Sequence, residues 1–342
     1  MVDREQSTGN HSACKVLVTG GAGYIGSHAV RALADAGHEV VVLDDLSTGH
    51  RAAVDGRARL FEADLRDRRA LDEVLPGVDA VVHFAARSVV SESVRRPLDY
   101  WDVNLTGSLA LLRAMSDHGV RRLVFSSTAA TYGIPDRMPI TEDVDQRPIN
   151  PYGASKLAVE RAIRDVLDAD PTWSAAILRY FNVAGCASDG SLGEDHQPET
   201  HLLPIVLQAA AGRRSHVTLF GTDYDTPDGT CIRDYVHVED LVAAHLVALE
   251  ALRPGDLRVH NVGIGRGYSV REVVDAVRRV TGRSFDVREG ARRPGDPPSL
   301  VTDPSSLVGS LGWRPRHTDI DAIVRTAWAW VQAHPEGYGD RG

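Results

Sequence analysis

The chain predicts an α/β protein, a doubly wound parallel sheet carrying a smaller C-terminal lobe. Two observations lead there. Short apolar runs alternate with amphipathic helical stretches through the first half. After about residue 183 the texture changes, and Gly, Pro, Asp and Thr cluster in 185–200, 221–231 and 290–304.

The runs come in order as Lys15–Gly20 (KVLVTG), Glu39–Asp44 (EVVVLD), Arg59–Ala63 (RLFEA), Ala80–Ala85 (AVVHFA) and Arg122–Ser127 (RLVFSS). Ala175–Tyr180 (AAILRY) and Arg258–Gly263 (RVHNVG) follow later. Rich in Val, Ile and Leu with little polar alternation, they read as strands buried on both faces. The expected division is a disordered leader over 1–13, a dinucleotide-binding domain from 14–182 plus 235–263, and a second lobe from 183–234 plus 264–342. The helices expected at Pro97–His118 and Tyr152–Ala169 each carry an apolar stripe beside a charged face.

Composition narrows the function classes. Of 342 residues, 43% are hydrophobic and 25% charged, as in an ordinary globular protein, and the formal net charge is −9 without any Lys/Arg block. This argues against a nucleic-acid surface. Residues 1–13 contain no apolar run, so they read as no signal peptide, and no stretch approaches the roughly 18 apolar residues of a membrane span. Cys14, Cys186 and Cys231 are odd in number and scattered, which fits a reducing compartment, and a cytoplasmic location is expected. The histidines show no ligand spacing, so no metal is expected.

The first strand runs into T-G-G-A-G-Y-I-G, with Gly20, Gly23 and Gly26 spaced G-x-x-G-x-x-G. Glycines there permit a tight turn and close approach of a pyrophosphate to a helix N-terminus, the Rossmann-type arrangement. Tyr24 and Ile25 lie inside the loop. The second strand ends at Asp44, with Asp45 beside it, 18 residues after Gly26. A carboxylate there accepts hydrogen bonds from ribose hydroxyls and repels a 2′-phosphate, favouring NAD over NADP. Asp64 and Leu65 close the third strand where adenine would lie, Phe84, Ala85 and Ala86 end the fourth, and Asn104 sits on the helix after it; each could equally be packing.

In N-P-Y-G-A-S-K, Tyr152 and Lys156 stand four residues apart on one helical face. Ionising a phenol near pH 7 requires roughly 4 kcal/mol. An ammonium about 4 Å away supplies about 4 kcal/mol at an effective dielectric near 20. The positive ring of an oxidised nicotinamide adds to this. Such a phenolate takes the proton of a sugar hydroxyl while hydride leaves the same carbon.

With the glycine loop, S-S-T at 126–128 and Tyr152-x-x-x-Lys156, the chain resembles the extended short-chain dehydrogenase/reductase family, most closely its UDP-glucose/UDP-galactose 4-epimerase group. The resemblance runs from Lys15 to about Tyr338 and rests on V-T-G-G-A-G-Y-I-G-S-H, H-F-A-A-R-S-V-V-S-E-S-V, L-R-Y-F-N-V-A-G, D-G-T-C-I-R-D-Y-V-H-V and R-R-P-G-D-P. It implies that Tyr152 is the acid/base, Lys156 its charged neighbour and Thr128 the hydroxyl bonding both phenol and substrate oxygen. Phe181 would flank the nicotinamide and Asn182 would reach the sugar nucleotide. Leu202 with Thr218, Leu219 and Phe220 would wall the uridine, and Arg233, Arg293 and Asp296 would lie near the diphosphate and ribose. Tyr235 is a further substrate-side candidate. Three departures stand out: Thr128 replaces the more common serine, Arg87-Ser88 replaces a wall where some relatives carry lysine second, and Leu300 occupies a gate position that is a bulky aromatic or a small residue in relatives, which leaves acceptance of N-acetylated sugars open.

The resemblance further implies tightly bound NAD, a UDP-sugar substrate, a 4-keto sugar intermediate and a homodimer paired through the two striped helices. A 4,6-dehydratase would need an Asp-Glu pair after the threonine, where this chain has Ala129-Ala130. A UDP-pentose or UDP-N-acetylhexosamine 4-epimerase would use the same machinery. A non-catalytic NAD sensor would need neither the Tyr–Lys pair nor the arginines.

Overall fold

The computed structural model describes residues 13–293 and 296–340. Residues 1–12 of the expected leader lie outside the described residues, as do Pro294 and Gly295 of the R-R-P-G-D segment. No helix is long and apolar enough to cross a membrane among those described.

The strands are β1 (Lys15–Thr19), β2 (Glu39–Asp44), β3 (Arg59–Glu62), β4 (Ala80–His83), β5 (Arg122–Thr128), β6 (Ser174–Tyr180), β7 (Asn182–Ala184), β8 (His216–Phe220), β9 (Ile232–His237), β10 (Leu257–Val262), β11 (Gly267–Ser269), β12 (Asp286–Gly290) and β13 (Ser299–Leu300). Seven form one sheet in the order β10-β6-β5-β4-β1-β2-β3, parallel throughout. All seven apolar runs read from the sequence are strands of this Rossmann-type sheet, within one or two residues at each end.

Alternate residues feed the two faces, as the two-residue strand period requires. Leu17 packs with Leu71, Leu111 and Ile163 from helices Arg68–Val74, Gly107–Asp117 and Pro151–Ala169. Val16 and Val18 pack on the other face with Val30, Leu241 and Leu307 from helices Tyr24–Asp35, Val238–Ala251 and Ser305–Leu311. With both faces covered, polar alternation would have been costly, and this explains the uniformly apolar runs.

The smaller lobe has its own core, where Leu203, Val217, Tyr235, Val273 and Ile323 meet. It joins helices Leu202–Ala210, Val270–Thr281 and Ile320–Ala333 to the β12-β8 pair. The expected boundaries need two corrections. Residues 305–313 pack on the first sheet through Leu307 and Trp313, whose indole Nε1 donates to Asp240 O at 2.9 Å, so this stretch does not belong to the lobe. The cut before Tyr235 falls inside β9, whose Tyr235 enters the lobe core while Val236 enters the sheet core.

The stretch expected as one helix over Pro97–His118 is helical with an interruption. Pro97–Tyr100 and Gly107–Asp117 are α-helical, and Trp101–Thr106 between them widens into a π-helical turn. That turn carries the buried Asn104.

Candidate active site

All strands of the large sheet point the same way, so the segments after β1, β4, β5 and β6 gather along one edge. The strand order reverses between β1 and β4, which opens a crevice at the carboxyl ends of the strands. Gly20, Gly23 and Gly26 lie after β1, and Phe84, Ala85 and Ala86 lie after β4. Gly20 and Gly26 are required by space. A Cβ on Gly20 would sit 2.5 Å from Ala85 N in a backbone at φ +73°, and one on Gly26 would sit 2.0 Å from Gly20 O. The tight loop brings the N-terminus of helix Tyr24–Asp35 to the crevice. The Asp44 carboxylate at the end of β2 is buried and accepts from Ala22 N and Leu46 N, each at 2.9 Å. A buried carboxylate at the end of the second strand is the group that ribose hydroxyls would meet. These residues fit a dinucleotide.

The other cofactor-side candidates divide. Tyr24 donates its hydroxyl to Gly185 O, across to the loop after β7, while Ile25 packs into the sheet core. Asp45 is exposed and bonds Ser47, and Asp64 holds Arg66 while Leu65 is buried in the core. Asn104 accepts from Arg87 N at 2.8 Å and donates to Arg87 O at 3.1 Å and Ser155 Oγ at 3.0 Å. It ties the crevice wall to the helix of Tyr152 and Lys156. The Arg87 guanidinium lies 3.6 Å from Glu92.

Pro151 opens helix Pro151–Ala169, and Asn150 caps it by accepting from Gly153 N at 2.8 Å. Tyr152 in its first turn stands beside Thr128 at the end of β5, close enough for the threonine hydroxyl to act on the phenol. Lys156, one turn on, donates to Ser126 O at 2.9 Å, its ammonium 4.9 Å from the Phe125 ring centre. Both side chains are buried, and this alters the electrostatic expectation. Burial pushes the Tyr152 pKa up, offset in part by the neighbouring Thr128 hydroxyl. Burial also brings Lys156 down to about 7, opposed by the Glu160 charge. Desolvation therefore opposes ionisation of the phenol, and a cation in the crevice beside it would favour the phenolate.

On the substrate side, Phe181 is buried beside Ala129, Tyr132, Ile140 and Val144, with Leu300 of β13 packed against them. Asn182 is exposed at the start of β7. Leu202 opens its helix against the lobe core, and in β8 Leu219 faces that core while Phe220 is exposed. Thr218, between His216 and Phe220 on the same strand face, is half-buried. Arg293 lies over the Phe220 ring at 4.2 Å, and Arg233 pairs with Asp296. Tyr235 is buried in the lobe core, where burial pushes its pKa up.

Several positions escaped the sequence reading. Glu160 continues the Tyr152–Lys156 spacing by one turn, is fully buried, and pairs with buried Arg179 at 2.6 Å. Tyr132 accepts from Arg179 and donates to Asn261 Oδ1 at 2.7 Å. The signals were an acid on the buried helix face and an arginine within an apolar strand. The expectation of no metal constellation also needs correction. Glu194, His196, Glu199 and His201 bring ligand atoms within 4.8 Å of one another, as do His237, Glu239 and His317. Loop residues at irregular spacing leave no periodic signature, so only folding reveals the first group. His237 otherwise acts as a helix cap, accepting from Glu239 N.

Residues 16–263 match the family model described as NAD dependent epimerase/dehydratase family. The chain is 51% identical over 330 residues to a UDP-glucose 4-epimerase of Lactobacillus helveticus, covering 96% of this chain and 100% of that one. A crystal structure of UDP-glucose 4-epimerase from Bifidobacterium longum in complex with NAD+ and UDP superposes with a TM-score of 0.91 at 38% identity, over 94% of this chain and 99% of that one. The structure of a UDP-Glc/GlcNAc 4-epimerase from Campylobacter jejuni gives a TM-score of 0.82 at 42% identity, over 94% and 100%.

Proposed function

The chain belongs to the NAD dependent epimerase/dehydratase family, and from that premise we propose that it interconverts UDP-glucose and UDP-galactose through a 4-keto sugar, with NAD held between turnovers. One observation carries the chemical reading: Tyr152 shares a helix face with Lys156 and stands beside Thr128, at the sheet edge that also carries the glycine loop.

Bound NAD supplies a hydride acceptor and, once reduced, the matching donor. Thr128 holds the sugar 4-hydroxyl against the Tyr152 phenol. Tyr152 receives that proton as the C4–H bond breaks, and Lys156 carries the charge balance of the phenolate. The keto sugar then presents its other face. Tyr152 returns the proton to the carbonyl oxygen as C4 regains hydride, and the configuration inverts with no net redox change. Arg233 and Arg293 neutralise the diphosphate, which suits their forked donors.

The absence of acid/base residues at Ala129 and Ala130 argues against dehydration. Leu300 packs beside Phe181, and its size decides between plain and N-acetylated hexoses in this reading. Incubating the purified protein with UDP-glucose, UDP-N-acetylglucosamine or UDP-xylose, without added cofactor, and resolving the epimers tests this. UDP-galactose from UDP-glucose is expected; a requirement for regenerated NAD, or a pentose product alone, would overturn it.

We also infer a homodimer. Val90, Val94, Leu98 and Leu109 are exposed at 45%, 63%, 78% and 44% on neighbouring helices, an apolar face suited to a second copy. Sedimentation of the wild type against Leu98→Glu checks it.

A further inference from the structure

We propose that Glu194, His196, Glu199 and His201 form a structural site for a divalent transition-metal ion, with zinc as the best-matched class. The four lie in the loop between β7 and helix Leu202–Ala210. Glu194 Oε1 is 3.2 Å from His196 Nδ1 and 2.8 Å from His201 Nδ1. Glu199 Oε2 is 3.8 Å from His196 Nδ1, and its Oε1 is 3.2 Å from His201 Nδ1. Four ligands about 2.0–2.2 Å from a tetrahedral ion stand about 3.3–3.6 Å apart, and one ligand atom from each of the four residues already lies within 4.8 Å of the others, so side-chain adjustment of about an ångström closes the shell.

Burial supports a built site. The two carboxylate side chains are only 6% and 4% exposed. His196 Nδ1 is shut from solvent and, although close to Glu194, accepts or donates no hydrogen bond. Two imidazole nitrogens with two carboxylate oxygens suit zinc better than magnesium or calcium, which prefer all-oxygen shells. With all four positions taken by the protein the ion has no open coordination position, so its role is to fix the loop. That loop leads directly into Leu202. His196 also packs edge-on against Tyr24, ring centres 6.4 Å apart, and Tyr24 bonds Gly185 at the other end of the segment. The ion would thereby set the loop against the cofactor-binding turn. This assignment stands independently of the sugar specificity.

The test uses the full chain, purified without chelator and with any affinity tag removed. Elemental analysis is expected to find about one zinc per chain, and Co2+ replacement is expected to give the intense visible absorption of a tetrahedral ion. Stripping the metal should lower the melting temperature, and zinc alone should restore it. His196→Ala with Glu199→Gln is expected to lower metal content about tenfold or more while the far-ultraviolet dichroism persists. His317→Ala, in the second cluster, should leave it unchanged. A folded wild type that takes up no zinc at micromolar concentration, or metal lost with His317→Ala but retained in the double variant, would overturn the site. Should the double variant fail to fold, the Co2+ spectrum of the wild type decides, because an octahedral spectrum or none contradicts the assignment.

Discussion

Asn104 Nδ2 donates to Ser155 Oγ at 3.0 Å, and Ser155 Oγ in turn donates to Tyr152 O at 2.8 Å. Through this pair the π-helical turn holds both the crevice wall at Arg87 and the first turn of the helix carrying the phenol. Asn104→Leu strands Arg87 N and O in a buried setting. We expect a loss of about 1–3 kcal/mol in stability by chemical denaturation. Less nicotinamide should be retained on gel filtration. An unchanged nicotinamide content would separate Asn104 from the cofactor wall.

The Tyr152 hydroxyl is the proposed proton carrier. Tyr152→Phe keeps the ring and its edge contact with Tyr100, whose centre is 6.5 Å away. Epimerisation is expected to fall roughly 10²–10⁴-fold. Binding of NAD and of UDP, followed by calorimetry, should be unchanged. Retained turnover would assign the proton to another group.

Glu160 and Arg179 are buried together, so neither tolerates losing the other. Glu160→Leu is expected to cost about 3–5 kcal/mol. Glu160→Leu with Arg179→Met should recover much of that, because no charge is left stranded. Additive losses in urea denaturation would contradict the coupling.

His245 is buried against Phe84, ring centres 4.8 Å apart, with Nδ1 donating to Leu241 O. Burial lowers its pKa from the ordinary 6.5 to about 4. Between those values the unfolded chain binds the proton and the folded one does not, so its stabilising share is lost as pH falls from 6.5 to 4. His245→Leu should remove about 1.4 kcal/mol per pH unit of the stability slope in that window. Asp234, raised to about 6 by burial, contributes the opposite slope, but it is common to both proteins and cancels in the difference.

Lys156 follows the same sign. Burial lowers its pKa from 10.5 to about 7, so its charge costs folding stability fully below pH 7, and that cost lifts as pH rises toward 10.5. Relative to the wild type, Lys156→Met should be most stabilised near pH 6 and progressively less so at pH 9, by thermal melting. A pH-independent difference would mean that the amine is compensated in place.

Local features were legible in the order of the residues alone. Uniform apolar runs specified a sheet covered on both faces, and Gly20 and Gly26 stand where any Cβ would strike backbone. Tyr152 and Lys156 share a face because four residues make nearly one helical turn. Only the tertiary structure decided what depends on groups brought from distant parts of the chain. It placed 305–313 on the sheet rather than in the lobe, because Trp313 finds its partner at Asp240. It buried Tyr152 and Lys156 deeply enough to oppose ionisation of the phenol, since desolvation is set by surroundings that a spacing cannot describe. It also paired Glu160 with Arg179, and gathered two glutamates and two histidines from an aperiodic loop into one cluster.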